Sequence, residues 1–361
     1  MNNETIPPNT YNVEEKKTTW SAADDRRSLL IWILASGLVI VLVPLIIFLV
    51  SAFALKNWSN YKDDHAIAFS IGSLQIAWYG IFIAIGFISA IAIVCFKLWK
   101  FYKCSIDPFF WFCIIGMVCS IFGARIWSCC IGDANWSSFW EFNNGGLAIE
   151  GGVALTTIAA CIYFPLVLQH PRYQVRDLSR EPERVRQISI FVYIDAIAPA
   201  ILLGQVIGRY GNYMNGEVYG AVMSTSGGWS HFVQSLFPKM LIDGEWHQPL
   251  FFYESLINWC GLIIIYFGFE FIPKQKAGTI GLSYFLWYGI VRLCLESLRD
   301  NKYTFANTYI MSGLFVGIAA VLIVLNLCIS KYWRRVFLFK TIFTIKNHFR
   351  TYNDLFYYLG R

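Results

Sequence analysis

Charge is scarce in this sequence. Asp, Glu, Lys and Arg make up 14% of its 361 residues, against about 25% in a soluble domain, and those few fall between long apolar runs. That argues against a water-soluble globule and for a polytopic membrane protein, in which lipid replaces part of the usual core. The cysteines lack a pattern. Ten are scattered, mostly inside apolar runs, with Cys129 and Cys130 adjacent. Neither a metal-ligand spacing nor a disulfide framework is evident, so they read as small core residues. Internal repeats and low-complexity segments are missing too. The net charge of +6 is distributed as membrane orientation requires, and no nucleic-acid partner is expected.

What is present is a series of apolar spans. Residues 1–27 are polar and read as a cytoplasmic tail. Residues 28–55 are long enough to cross a bilayer. Ala52-Phe53-Ala54 resembles a cleavage site, but the apolar core far exceeds the roughly 7–15 residues of a signal peptide, so an uncleaved anchor is expected. Seven more spans follow at about 74–96, 108–130, 148–169, 188–208, 250–272, 279–298 and 307–329. The expected fold class is therefore all-α polytopic, with about eight transmembrane helices. The loop at about 209–249 is long enough for a small extracytoplasmic head, and its Gly227-Gly228 and Asp243-Gly244 signal turns. With the N-terminus inside, cytoplasmic segments hold 21 lysines and arginines and outer segments 6. This asymmetry places both termini in the cytoplasm, with 330–361 as a basic tail.

One stretch organises the rest. Gly208 to Gly220, GRYGNYMNGEVYG, sets one arginine, two asparagines and one glutamate among four glycines. The apolar run Ile188 to Ile207 leads into it, so Arg209 is expected where a membrane helix ends. An arginine there either grips a phosphate or carboxylate through two parallel N–H bonds or snorkels to headgroups from a glycine-rich turn. Other polar groups reach the same depth. Tyr79 lies near the outer end of the second span and Arg125 near that of the third. Glu150 opens the fourth span, and Tyr253 and Glu254 open the sixth. In the seventh, Tyr288, Arg292, Glu296 and Arg299 have spacings of 4, 4 and 3, which draw one stripe along a helix. Asp195 lies nearer the cytoplasm and reads as a brace between helices.

Each has a plainer reading: mutual neutralisation for the stripe, an interfacial belt for Tyr79, simple exposure for Glu150. Charge inside a span is costly, however, and its convergence at one depth suits an anionic lipid headgroup. An enzyme, a transporter and a non-catalytic lipid binder all use such a site. A transport pathway should carry the charges further inward.

Seven motifs then stand in order: WYG at 78–80, GARI at 123–126, GGLAIEGG at 145–152, DAIAP at 195–199, GRYGNYMNGEVYG, QPLFFYE at 248–254 and YGIVRLCLESLR at 288–299. On these the chain resembles the prolipoprotein diacylglyceryl transferases over about residues 74–329. The first span and the basic tail lie outside the resemblance. It implies a seven-helix core in the bacterial cell membrane with its active site facing the outer leaflet. It also implies transfer of an sn-1,2-diacylglyceryl group from phosphatidylglycerol to the lipobox cysteine of a prolipoprotein signal peptide. Glycerol phosphate leaves, and no metal or soluble cofactor is implied. By motif, Arg209 and Arg292 would bind the lipid phosphate. Tyr79, Asn212, Glu217, Gly220, Tyr288 and Glu296 match positions linked to activity, and Arg125 joins the substrate-binding candidates.

Two departures stand out. Where the family has HGG this chain has Glu150-Gly151-Gly152, and the glutamine usual before LYE is Phe251. Either Glu150 takes the thiol proton or no base is needed there. The glycines around Glu150 suggest a tight loop at the mouth of the fourth span. Phe251 costs the site one polar contact.

Overall fold

Pro44 has no amide hydrogen, so the carbonyl of Ile40, one helical turn earlier, lacks its usual intrahelical donor. In the computed structural model the indole of Trp259 supplies that bond at 2.8 Å. The structure describes residues 22–328, apart from 63–64, 73, 103, 133, 142–147, 169, 171–172, 174, 178–183, 187–189, 273–276 and 301–305. Ile40 belongs to α1 (Ala22–Leu49), which continues as a π-turn over Val50–Ala54. Trp32, Ser36, Ile40, Ile47 and Ser51 form one buried stripe along it. Trp32 Nε1 donates to the Tyr266 hydroxyl at 2.9 Å, Ser36 Oγ lies 3.0 Å from the same oxygen, and Tyr266 donates to the Ile93 carbonyl at 2.8 Å. Thus α1 is pinned at two heights to α7 (Leu250–Tyr266) and, through Tyr266, to α2 (Trp78–Phe96).

The central helix is α5 (Ile190–Asn215). It packs on α2, on α7 and on α8 (Thr279–Glu296), and α9 (Ala306–Cys328) packs on α8. A Cβ built on Gly86 would stand 3.2 Å from the Gly204 Cα, so glycine lets α2 and α5 cross closely. The hairpin of α3 (Asp107–Ile131) and α4 (Ile149–Leu168) zips along a glycine seam, where a Cβ on Gly151 would stand 2.2 Å from the Gly123 carbonyl oxygen. Gly151 and Gly152 therefore lie inside the first turn of α4, not in a tight loop. Their small size serves helix-to-helix contact. Gly145 and Gly146 lie outside the described residues.

Among the described residues, six helical stretches are long and apolar enough to cross a membrane: Arg26–Ala54, Trp78–Phe101, Asp107–Ile131, Gly151–Leu168, Ile190–Asn215 and Leu250–Phe271. The molecule is thus an all-α polytopic membrane protein. α8 carries Arg292 and Glu296 within 18 residues, and the apolar part of α9 is Ser312–Leu327; neither is among the six.

Two boundaries differ from expectation. The second span starts at Trp78, because Leu74–Ala77 is a strand (β3) paired with β2 (His65–Ile71), which pairs in turn with β1 (Tyr61–Lys62). The fifth span does not end at Arg209. α5 runs to Asn215 because Tyr210, Tyr213 and Met214 are buried and keep the chain helical beyond the apolar run. Gly216, at φ +66°, then turns it out. The following segment holds α6 (Gly228–Leu236). At the other end of the bundle lie the paired strands β4 (Val175–Asp177) and β5 (Arg184–Arg186). Beyond α6, the two-residue strands β6 (Leu241–Ile242) and β7 (Glu245–Trp246) flank an Asp243-Gly244 turn with both φ positive.

The segment between α5 and α7 and the β1–β3 sheet are joined by Lys239, whose ammonium donates to the Trp58 carbonyl at 2.8 Å and to the Tyr61 hydroxyl. Tyr61 also donates to the Met214 carbonyl at the end of α5, at 2.9 Å.

The opposite end of the bundle is closed by buried charge. Lys97 Nζ lies 2.6 Å from Glu270 Oε1, both side chains fully buried, and donates to the Asp195 carbonyl at 3.1 Å. The Asp195 carboxylate accepts the amides of Gly278 (2.7 Å) and Gly281 (2.8 Å). It thus caps the start of α8 and braces it to α5. Such a cluster holds together because each ion finds both a counter-charge and hydrogen bonds.

Candidate active site

Helix direction alternates, so the last turns of α5 and α8 and the first turns of α2 and α7 share one end of the bundle. Their polar side chains form a connected group. Arg209 Nη2 pairs with Glu254 Oε1 on the first turns of α7, and Arg209 Nη1 donates to Asn212 Oδ1 at 3.2 Å. Asn212 Nδ2 passes the chain on to Glu217 Oε1 at 3.0 Å, and Asn215 Nδ2 approaches the same oxygen at 3.4 Å. Asn215 also accepts the Ala66 amide at 3.2 Å, which ties the β1–β3 sheet to this row. The spacing of Arg209, Asn212 and Asn215 puts them on one helical face. That row requires α5 to remain a helix past Arg209. A charge-assisted bond to a buried carboxylate fixes the guanidinium plane.

Tyr79 lies flat against this turn. A Cβ on Gly211 would stand 2.4 Å from the tyrosine ring, so only glycine admits it. The phenol lies within the electrostatic reach of Glu217 and Arg209.

On α8, Glu296 sits between two arginines, 3.7 Å from Arg292 Nη2 and 3.4 Å from Arg299 Nε. Both Glu296 oxygens, and Arg299 Nε and Nη2, are buried without a hydrogen-bond partner among the described residues. These groups are thus close enough to neutralise one another, yet they keep unspent hydrogen-bonding capacity. Arg299 also lies within electrostatic reach of Glu254 and Arg209, so the α5 and α8 clusters are neighbours. Gly220 fixes the backbone of Arg299. It pairs with Arg299, its amide donates to the Gln248 carbonyl at 3.0 Å, and its carbonyl accepts from His247 Nδ1 at 2.9 Å. A Cβ there would stand 2.8 Å from Gln248 and 2.9 Å from the Leu298 carbonyl. One turn below Arg292, Tyr288 stacks on Tyr284 at 6.2 Å.

The structure does not bring all the candidates together. Arg125 is buried on α3, and its described bonds go to the carbonyls of Ser138, Phe139 and Glu141, in the loop after its own helix. Its guanidinium therefore organises that loop. Glu150 lies in the first turn of α4, and its side chain is outside the described residues. Phe251 is buried and stacks on Tyr213 at 4.7 Å, with Phe237 edge-on at 5.0 Å. Where the family's glutamine would be polar, this chain builds an aromatic floor. Asn215 and His247 had no assigned role from sequence, and Glu254 stood there only as one of the polar groups converging at the outer depth. The i, i+3 spacing of Asn212 and Asn215 was the one available signal, and it is hidden if the segment is read as a turn. Among the described residues no cluster of metal-ligating side chains occurs.

Comparison with known proteins agrees with this architecture. The family model described as prolipoprotein diacylglyceryl transferase matches residues 66–330. A phosphatidylglycerol–prolipoprotein diacylglyceryl transferase of Malacoplasma penetrans is 46% identical over 284 residues, covering 75% of this chain and 80% of that protein. Proteins of the same name from Ureaplasma urealyticum serovar 10 and Ureaplasma parvum serovar 3 are 41% and 40% identical, each over 70% of this chain and 78% of their own length. The match takes in every helix that carries the arginine–carboxylate cluster and leaves α1 outside, and on it the chain belongs to the prolipoprotein diacylglyceryl transferase family.

Proposed function

We propose that this chain transfers the sn-1,2-diacylglyceryl group of phosphatidylglycerol to the lipobox cysteine of prolipoproteins, the first step of lipoprotein maturation. The observation that carries this is the gathering of Arg209, Arg292, Arg299, Glu254 and Glu296 in two neighbouring ion-pair clusters at one end of the bundle. The reaction breaks the bond between a glycerol carbon and a phosphate oxygen, so the leaving group, glycerol phosphate, gains negative charge. Arginines 209 and 292 hold the phosphate and stabilise that charge as it develops. The thiol attacks as its thiolate, which positive neighbours favour, and a thioether forms. Tyr79, Asn212, Glu217, Gly220, Tyr288 and Glu296 shape and hold the headgroup site. Arg125 acts at a distance, by ordering the loop it caps. Glu150 is the candidate proton acceptor, an assignment carried by its place in the family motif.

In this reading the chain crosses the cell membrane eight times with both termini in the cytoplasm. α1 is an addition to a core spanning about 74–329, 1–27 and 330–361 are cytoplasmic tails, and the head that follows α5, about 216–249, lies outside. The lysine and arginine bias supports that orientation. The test is transfer from labelled phosphatidylglycerol to a lipobox peptide by purified protein. Arg209→Lys and Arg292→Lys should each slow transfer about 10²-fold, because an ammonium cannot reproduce a two-pronged grip. Near-normal rates in both would refute the phosphate assignment.

A further inference from the structure

The family match begins at residue 66, so α1 and the segment that follows it lie outside it. That segment is nevertheless bonded into the arginine-bearing end of the bundle. Trp58 meets Trp78, the neighbour of Tyr79, edge-on at 5.5 Å, and its indole donates to the Ile67 carbonyl at 3.1 Å. Tyr61 pairs with Ala66 across the β1–β2 ladder. From there its hydroxyl reaches the last turn of α5, 153 residues further along the chain.

The final carbonyls of a helix have no intrahelical donor. In α5 the Asn212 carbonyl accepts the Glu217 amide at 3.0 Å, and the Tyr213 carbonyl accepts the Gly216 amide at 3.2 Å. The Met214 carbonyl accepts the Tyr61 hydroxyl at 2.9 Å. Met214 is fully buried, so bulk water does not replace that donor. The direction of the bond is fixed as well. Lys239 donates to the Tyr61 oxygen, and an ammonium accepts nothing, so the hydroxyl hydrogen is left for Met214. The next residue, Asn215, is held by the same ladder. Its Oδ1 accepts the Ala66 amide at 3.2 Å, which turns Nδ2 toward Glu217 Oε1 at 3.4 Å. Glu217 Oε1 also accepts from Asn212 Nδ2, and Asn212 Oδ1 accepts from Arg209.

We propose that Tyr61 is a positioning residue for the transfer reaction. By capping α5 it holds the Asn212–Glu217 turn, and through that turn Arg209, in the geometry that grips the lipid headgroup. The inference rests on the transferase reading for what the site does. A residue from the added segment thereby completes a site whose other named residues lie within the family match. Without the hydroxyl, the Met214 carbonyl has to turn toward another donor, and Asn215 and Glu217 turn with it. The arginines remain, so lipid still binds, but its phosphate is held out of line. Lost alignment of this kind appears in kcat.

The test compares Tyr61→Phe with wild type in detergent micelles, using the folded, monodisperse fraction of each. kcat should fall about tenfold with KM changed less than about twofold, as for a group that acts on alignment and not on binding. Asn215→Ala breaks the same relay further on, so Tyr61→Phe added to it should cost less than about twofold more. A residue that only stabilised the fold would leave the rate of the folded fraction unchanged. Wild-type kcat in Tyr61→Phe, a tenfold rise in KM instead, or the full loss in the Asn215→Ala background would each overturn the proposal. Lys239→Met lets the hydroxyl turn away and should lower kcat about threefold; it carries the test if Tyr61→Phe does not fold, and an unaltered kcat there overturns the proposal equally. Hydrogen exchange gives a readout independent of activity. The Gly216 and Glu217 amides should exchange about tenfold faster in Tyr61→Phe, with the amides of α8 unchanged. If the wild type transfers nothing, the transferase reading fails, whereas unchanged exchange at 216 and 217 sinks the cap itself.

Discussion

Phe251 shows how one side chain can redefine a local site. It is sandwiched in an aromatic cluster with Tyr213, Phe237 and Tyr210, the last at 5.6 Å, directly beneath the helical turn that carries Arg209. Phe251→Gln, which would restore the family residue, places an amide where every neighbour is a ring. It should cost about 2–4 kcal/mol through lost packing and unpaired polar atoms. Thermal unfolding in detergent measures this, and a Gln variant as stable as wild type would show that the cluster is not supporting the turn. From sequence this position registered only as a missing polar contact. The compensating rings come from residues 210, 213 and 237, and no local pattern announces that they meet. Arg125 is the complementary case. Its burial was legible from its place in an apolar span, but its partners, three backbone carbonyls, leave no trace in side-chain identity.

At the scale of elements, the Pro44–Trp259 pair makes a quantitative expectation. Trp259→Phe leaves the Ile40 carbonyl without a donor inside the bilayer and should cost about 1–3 kcal/mol. Pro44→Ala restores an amide at position 44, so in that background the same change should be nearly free. A double-mutant cycle reads the coupling, and additive effects would mean that the indole bond is immaterial. The junction of head and sheet offers a second test. Burial pulls the Lys239 ammonium down to about 8 from its ordinary 10.5. The unfolded chain therefore binds more protons between these values, and stability should rise as pH climbs from about 8 toward 10. Burial also pushes the Tyr61 phenol up from 10.0, which opposes the trend only above that pH. Unfolding midpoints from pH 7 to 9.5 should increase in wild type relative to Lys239→Met; parallel curves would contradict this.

Helix positions were readable because apolar runs of membrane length leave little choice. The β1–β3 sheet was not, since Leu74–Ala77 merges with the apolar run of α2. The helical end of α5 was missed for a related reason: its glycines suggest a turn, and only the tertiary burial of Tyr210, Tyr213 and Met214 overrides them.

Across the whole molecule, charge separates into two tiers. The arginine–carboxylate group occupies one end and the Lys97–Glu270–Asp195 brace the other. The brace pairs one lysine with one carboxylate and spends the other on two backbone amides, whereas the first group sets three arginines against two carboxylates and keeps unspent donors on Arg299. The excess of positive charge at that end suits an anionic ligand. If that end faces outward, Asp243→Cys in the β6–β7 turn should react with an impermeant maleimide on intact cells, and Lys100→Cys only after permeabilisation. Wild type supplies the blank for the native cysteines, and the reverse pattern would invert the topology.

The bonds that pin α1 also set a schedule. Trp259 lies 219 residues beyond Ile40, and Tyr266 lies 234 beyond Trp32. At roughly 5–20 residues per second of synthesis, the first helix enters the membrane about 10–45 s before its partners exist. Throughout that interval the Ile40 carbonyl must borrow a donor from water, lipid headgroups or the insertion machinery. α1 can thus meet α2 long before it gains its bonds to α7.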